Sequence, residues 1–184
     1  MDTKKTKKIK IAISGKSGCG NTTVSKILSA KLELRFINFT FRNIAQEKGI
    51  TLEEVLTKAE TDDSWDREVD DRQLQYARNE NAEKGCVLGS RLAIWFLKEA
   101  DLKVYLNVNP EIRFERIAQR EGGKIEDVTA FTIARDKQDH ERYLRLYNID
   151  NDNYSFADMV IDAGILNPEE IVGKIIDKIN SVNN

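Results

Sequence analysis

The stretch "KIKIAISGKSGCGNTTVSKILSAKL", Lys8 to Leu32, decides the reading of this chain. Its first seven residues are rich in isoleucine and read as a buried strand. Its end carries Val24, Ile27, Leu28 and Leu32 at helical spacing. Between them, Gly15 to Thr23 fits a phosphate-binding loop of the G-x-x-x-x-G-K-[ST] type in every position but one. Gly15, Gly20 and Thr22 stand where the motif requires, and Asn21 takes the place of the lysine. Strand, glycine loop and helix in that order make the motif credible. The glycines let successive N–H groups turn inward, and the helix N-terminus adds partial positive charge, so phosphate can be held with no lysine at all. Thr22 offers a hydroxyl to Mg²⁺. The alternative is an ordinary glycine-rich turn. Cys19 reads as a small loop residue.

Outward from the loop, short apolar runs alternate with helical patterns. Strands are predicted over 8–14, 34–39, 86–90, 102–108 and 158–163. Helices are predicted over 21–33, 40–48, 51–60, 64–84, 91–100, 110–121, 124–147 and 167–181. Thr51 and Glu54 form a capping-box pattern, Pro110 and Pro168 open helices, and Gly122-Gly123 separates two of them. The alternation implies an α/β fold, a parallel sheet with helices on both faces.

The 184 residues suit one domain. With 29 basic against 31 acidic residues, nucleic acid is not an expected partner. No apolar run approaches the ~18 residues of a membrane span. The lysines of "MDTKKTKKIK" read as a solvated lead-in, not as a secretory signal. Cys19 and Cys86 lack metal spacing, and a reducing, cytoplasmic setting follows.

Arginines carry the remaining signal. Arg113, Arg116 and Arg120 fall within roughly 60° on one helix, with no acid on that stripe. A face of unanswered guanidiniums expects an anion; a solvated face is the alternative. On the next helix Arg135, Asp139 and Arg142 share a face, as a phosphate-closing set or as a local salt-bridge ladder. Arg42 and Arg91 follow strands, and in an open parallel sheet ligands collect beyond the strands' carboxyl ends. A nucleotide loop with several arginine forks is the equipment of phosphoryl transfer.

With these residues in view, the chain resembles the nucleoside monophosphate kinases. More narrowly it resembles the short cytidylate kinases of the archaeal-type, cytidylate-kinase-like branch, from about Ile9 to about Ile179. The resemblance rests on "ISGKSGCGNTTVSKILSAKL", "FRNIAQEKGITLEEV", "DREVDDRQLQYAR", "SRLAIWFL", "ADLKVYLNV", "RFERIAQREG", "ARDKQDHERYLRLYNID" and "MVID". It implies a five-stranded parallel sheet in one domain: a core of 8–39, 85–121 and 156–182, an acceptor-binding segment of 40–84 and a lid of 122–147. Gly15, Lys16, Ser17, Gly18, Cys19, Gly20, Asn21, Thr22 and Thr23 would bind ATP, with Arg116 and Arg120 at its adenine end. Arg42 and Arg91 would meet the acceptor phosphate. Arg72, Gln73 and Asp70 would face the acceptor nucleoside. Arg135, Asp139 and Arg142 would be the catalytic lid set. The implied reaction is MgATP plus CMP or dCMP giving ADP plus CDP or dCDP, in a cytoplasmic protein expected to be a monomer. A kinase for another nucleotide or small metabolite, and a nucleotide-binding regulator without turnover, are the alternatives. Two departures stand out: Asn21 for lysine, and "VLGSR" where the family usually carries an acid ahead of the arginine.

Overall fold

A computed structural model describes residues 8–182. The lysine-rich lead-in before Lys8 lies outside the described residues. Five parallel strands form one sheet in the order β2-β3-β1-β4-β5: β1 Lys10–Ser14, β2 Arg35–Ile37, β3 Cys86–Gly89, β4 Leu102–Asn107 and β5 Met159–Asp162. β1 is central because both of its faces are apolar. Ile11 and Ile13 pack with Val24, Leu28, Val104, Leu106, Val172 and Ile175 on one side. Ala12 packs with Leu88, Ala93, Ile94, Leu97 and Tyr105 on the other. This two-sided burial is what parallel strands demand.

The helices are α1 Asn21–Lys31, α2 Phe41–Lys48, α3 Leu52–Ala59, α4 Ser64–Arg78, α5 Ala93–Phe96, α6 Pro110–Glu121, α7 Ile125–Tyr147 and α8 Pro168–Val182. The predicted Thr51–Glu54 box closes reciprocally, Thr51 N donating to Glu54 Oε2 at 2.7 Å and Glu54 N to Thr51 Oγ1 at 3.1 Å. Phe39, Ile44, Ala45 and Val55 make a small separate core with Phe41, Ile50, Trp65 and Val69, so the α2–α3–α4 segment has apolar packing of its own.

Two helix predictions are corrected. The helix expected over 64–84 ends at Arg78, where Asn79 turns out of the helix and its side chain accepts from Asn81 N at 3.0 Å. The chain must turn there to enter β3 through Gly85, whose place beside Ile9 leaves no room for a Cβ. The helix expected over 91–100 is a single turn, Ala93–Phe96. Its apolar residues are buried because this short crossover lies flat on the sheet, with Ile94 N donating to Ser14 Oγ at 3.1 Å.

Among the described residues, no helix is long and apolar enough to cross a membrane.

Candidate active site

The glycine loop leaves the carboxyl end of β1. From β1 the chain passes to β2 and β3 on one side and to β4 and β5 on the other, so a crevice opens there. Gly20 caps α1 in the left-handed region, φ 96°, with no side-chain cap and no acid in the first turn. Helices α3 and α6, by contrast, have their first amides capped by Thr51 and Asn109. The N-terminus of α1 is therefore left open for an anion.

Asn21 does not reach outward as a lysine would. Its amide donates to Gly15 O at 2.6 Å, and its buried Oδ1 has no partner among the described residues. It staples the loop's two ends together. Thr22 is exposed, and its hydroxyl accepts from Asn38 Nδ2 at 3.2 Å, which also donates to Gly89 O at 3.1 Å. A hydroxyl oxygen has two lone pairs, and the Asn38 bond uses one of them. That fits Mg²⁺, which retains several waters and takes its other ligands from phosphates. Asn38 was missed in the sequence, although it follows β2 as Arg91 follows β3. Burial pushes the Cys19 thiol up to about 11, so it is an inert packing group. Gly89, in the stretch where this chain lacks the acid the family usually carries, is tightly packed: an added Cβ would lie 2.3 Å from Ser25 Oγ and 2.8 Å from Ser25 Cβ.

A small cleft at the loop is lined by Gly15, Lys16, Ser17, Arg91, Asp136 and Asp139, among others. Arg91 donates to Ser17 Oγ at 2.9 Å and pairs with Asp139. Arg142 donates to the other oxygen of Asp139 at 2.7 Å and lies 3.5 Å from Asp66. One carboxylate of α7 thus holds two arginines. Arg135 makes no hydrogen bond or ion pair among the described residues and is exposed, so the local ladder expected through Asp139 is half formed, and Arg91 takes the place of Arg135. Lys16 is drawn to Asp152 at 2.7 Å.

The arginine stripe on α6 is corrected. Arg113 is buried and pairs with Asp136 of α7; Arg116 donates to Ala163 O at 2.9 Å; Arg120 pairs with Glu121 at 2.6 Å. The acid for Arg113 comes from another helix, which no count along α6 could reveal.

On the α2–α4 side, Arg42 is exposed and unpaired among the described residues. Arg72 Nη2 donates to both carboxylate oxygens of Glu47, at 2.7 and 2.6 Å, and the guanidinium lies over the Phe39 ring, turned to a protein acid rather than held open. Gln73 is buried, with Oε1 unpartnered among the described residues. Tyr147 of α7 donates to Asp70 at 2.7 Å, and Arg145 of α7 pairs with Asp63. With Arg142–Asp66, these pairs join α7 to α4 and its N-terminal flank through polar contacts.

Burial pushes the Asp70 carboxyl up from 3.8 to about 7, against the lowering effect of the Tyr147 hydrogen bond. Below pH ~4 Asp70 is protonated in both folded and unfolded chains. Between ~4 and ~7 the unfolded chain releases the proton and the folded chain keeps it, so stability falls through that window and then levels. Asp70→Asn is expected to remove this contribution. Urea midpoints should diverge in the variant's favour as pH rises from 4 to 7; parallel curves would contradict the assignment.

Together, the uncapped loop at a switch point and the convergent arginines define a phosphate-loop α/β kinase. The fold agrees with that of shikimate kinase from Bacteroides thetaiotaomicron, at TM-score 0.63 and 21% identity over 95% of this chain and 99% of that one. It also matches the deoxyadenosine kinase of M. mycoides, at TM-score 0.58 and 17% identity over 94% and 100%. Residues 10–165 match the model of the cytidylate kinase-like family. "Cytidylate kinase 2" of Borreliella burgdorferi is 48% identical over 179 residues, 95% of this chain and 97% of its own. The "Cytidylate kinase" of Archaeoglobus fulgidus is 41% identical over 170 residues, 91% and 93%. The chain belongs to the cytidylate kinase-like family.

Proposed function

We propose that the chain transfers the γ-phosphoryl group of MgATP to CMP or dCMP, giving ADP and CDP or dCDP. The observation that carries this reading is the meeting of Arg91 and Arg142 on the single carboxylate of Asp139 beside the loop. Asp139 occupies the place an anion takes between two guanidinium forks, and a phosphate brings more charge and more acceptor oxygens to the same pair.

The residues divide the work by position. Loop amides from Gly15 to Thr23 and the α1 N-terminus hold the donor phosphates. Thr22 would hold Mg²⁺, which neutralises phosphate charge when bound. Arg116 and Arg120 lie toward the adenine end. Arg42 and Arg91 orient the acceptor phosphate, and Arg72, Gln73 and Asp70 border its nucleoside. Arg135 and Arg142 face the charge that develops in transfer, with Asp139 holding Arg142 until substrate arrives. No protein base is required, because the acceptor phosphate is an anion at neutral pH.

A coupled assay of ADP release across nucleoside monophosphates tests the reading. CMP and dCMP should be the best acceptors. Much faster turnover of AMP, GMP or a non-nucleotide would overturn it. Arg42→Ala should raise KM for CMP with kcat little changed, because it removes a contact made equally before and during transfer. A fall in kcat at unchanged KM would instead place Arg42 at the reacting phosphoryl group.

A further inference from the structure

Two arginines from different elements grip Ser17 in the middle of the loop. Arg91, after β3, donates to its hydroxyl at 2.9 Å; Arg113, on α6, donates to its main-chain carbonyl at 2.9 Å. Each uses another nitrogen on an acid of α7, Arg91 on Asp139 and Arg113 on Asp136. Asp136 and Asp139 are three residues apart and share one face of that helix. The lid helix is thus tied to the loop by two parallel bridges, each running from carboxylate through guanidinium to Ser17.

The bridges are not equivalent. The Arg91 side chain is 28% exposed and lines the cleft, so an incoming phosphate can draw it off Asp139. The Arg113 side chain is 5% exposed and engages a neutral carbonyl. The loop also lies on the Arg113 backbone itself. Gly18 has φ +85°, and an added Cβ would come within 2.9 Å of Arg113 O. In a trans peptide the C=O and N–H point in opposite directions. With the Ser17 carbonyl pinned to Arg113, the Gly18 N–H is turned away from α6.

We propose that Arg113, backed by Asp136, is a positioning residue that sets the backbone of the phosphate-binding loop for the donor nucleotide and links it to the lid helix. This rests on the reading that the loop holds the phosphates of ATP. It predicts that the fork of Arg113 matters beyond its charge. A lysine can face Asp136 but presents a single ammonium, which cannot reproduce the planar two-nitrogen bridge.

The test is calorimetric binding of MgATP, with steady-state KM and kcat for ATP and CMP, on the full chain. Arg113→Lys should bind ATP about tenfold or more weakly, the loss of one charge-assisted hydrogen bond. KM for CMP should move little. The double variant Arg113→Met/Asp136→Leu removes both partners together, leaves neither charge unpaired and should keep thermal stability, yet not recover ATP affinity. If Arg113→Lys, or a folded double variant, binds ATP as tightly as the unaltered chain, the pair serves folding alone and the proposal fails. ATP binding decides this whichever acceptor is used. An unaltered chain that binds ATP but does not phosphorylate CMP would refute the acceptor assignment and leave the comparison of variants valid.

Discussion

Replacing Arg142 by alanine is expected to lower kcat for CMP phosphorylation by about 10³-fold or more, the scale of arginines that stabilise charge in phosphoryl transfer. The side chain stands between two acids, 2.7 Å from Asp139 and 3.5 Å from Asp66. Burial already pushes the Asp66 carboxyl upward, with Arg142 as the main opposing influence. Without the guanidinium, Asp66 will take up a proton more readily and Asp139 will keep Arg91 alone. The α7 helix then brings less positive charge to the loop. Lys16→Ala serves as the contrast. Lys16 is committed to Asp152, and Arg91 already lines the cleft with Arg142 behind it on Asp139, so most activity should remain. The measurement is kcat for both variants at saturating ATP and CMP, with folding checked by circular dichroism. Near-normal turnover in Arg142→Ala would reduce it to a salt-bridge residue. A collapse in Lys16→Ala, with ATP binding intact, would make Lys16 the displaced loop lysine.

Gly15→Ala is expected to lower kcat/KM by about 10²-fold, the cost of displacing a site by ~1 Å. A Cβ at this position would lie 2.6 Å from Leu106 O, 2.7 Å from Asn21 Oδ1 and 3.1 Å from Cys19 Cβ. The first of these is backbone of β4 and cannot rotate aside. The loop must lift from the sheet, and the Asn21–Gly15 staple opens with it. Stability should fall by about 1–3 kcal/mol, as for other overpacked sites. Gly49→Ala separates space from strain. Gly49 has φ +65° with nothing within 4 Å of its would-be Cβ, so it carries only the left-handed penalty, about 1–2 kcal/mol, with kinetics unchanged. Equal kcat/KM in the two variants would show that the crowding at Gly15 does not control the site.

Local patterns survived folding wherever the cause was local. β1, the glycine loop and α1 follow from an apolar run, residues that permit a tight turn, and a helical apolar stripe, all within 25 residues. Thr51 and Glu54 cap α3 because their partners are three positions apart. Gly122 and Gly123 separate α6 from α7 with φ of 77° and 102°, a conformation that side chains disfavour. The alternation of strands and helices was enough to imply a parallel sheet buried on both faces. The Asp66–Arg78 and lid motifs carried the resemblance to cytidylate kinases.

Partners distant in the chain were decided by tertiary structure alone. The α6 stripe looked unanswered because its acid, Asp136, lies 23 residues from Arg113 and meets it only when α7 folds back. Arg91 and Asp139 are 48 residues apart, Arg145 and Asp63 82, and Tyr147 and Asp70 77. Periodicity places a side chain on a face of its own helix, but it cannot say which face of another helix lies opposite. The end of α4 and the shortness of α5 have the same origin: intrinsic preference would extend both helices, while the sheet fixes where the chain must return. The sequence alone therefore determined the phosphate loop and the class of fold. Long-range packing decided which arginines are bound to protein acids and which, like Arg42 and Arg135, have no acid paired to them among the described residues.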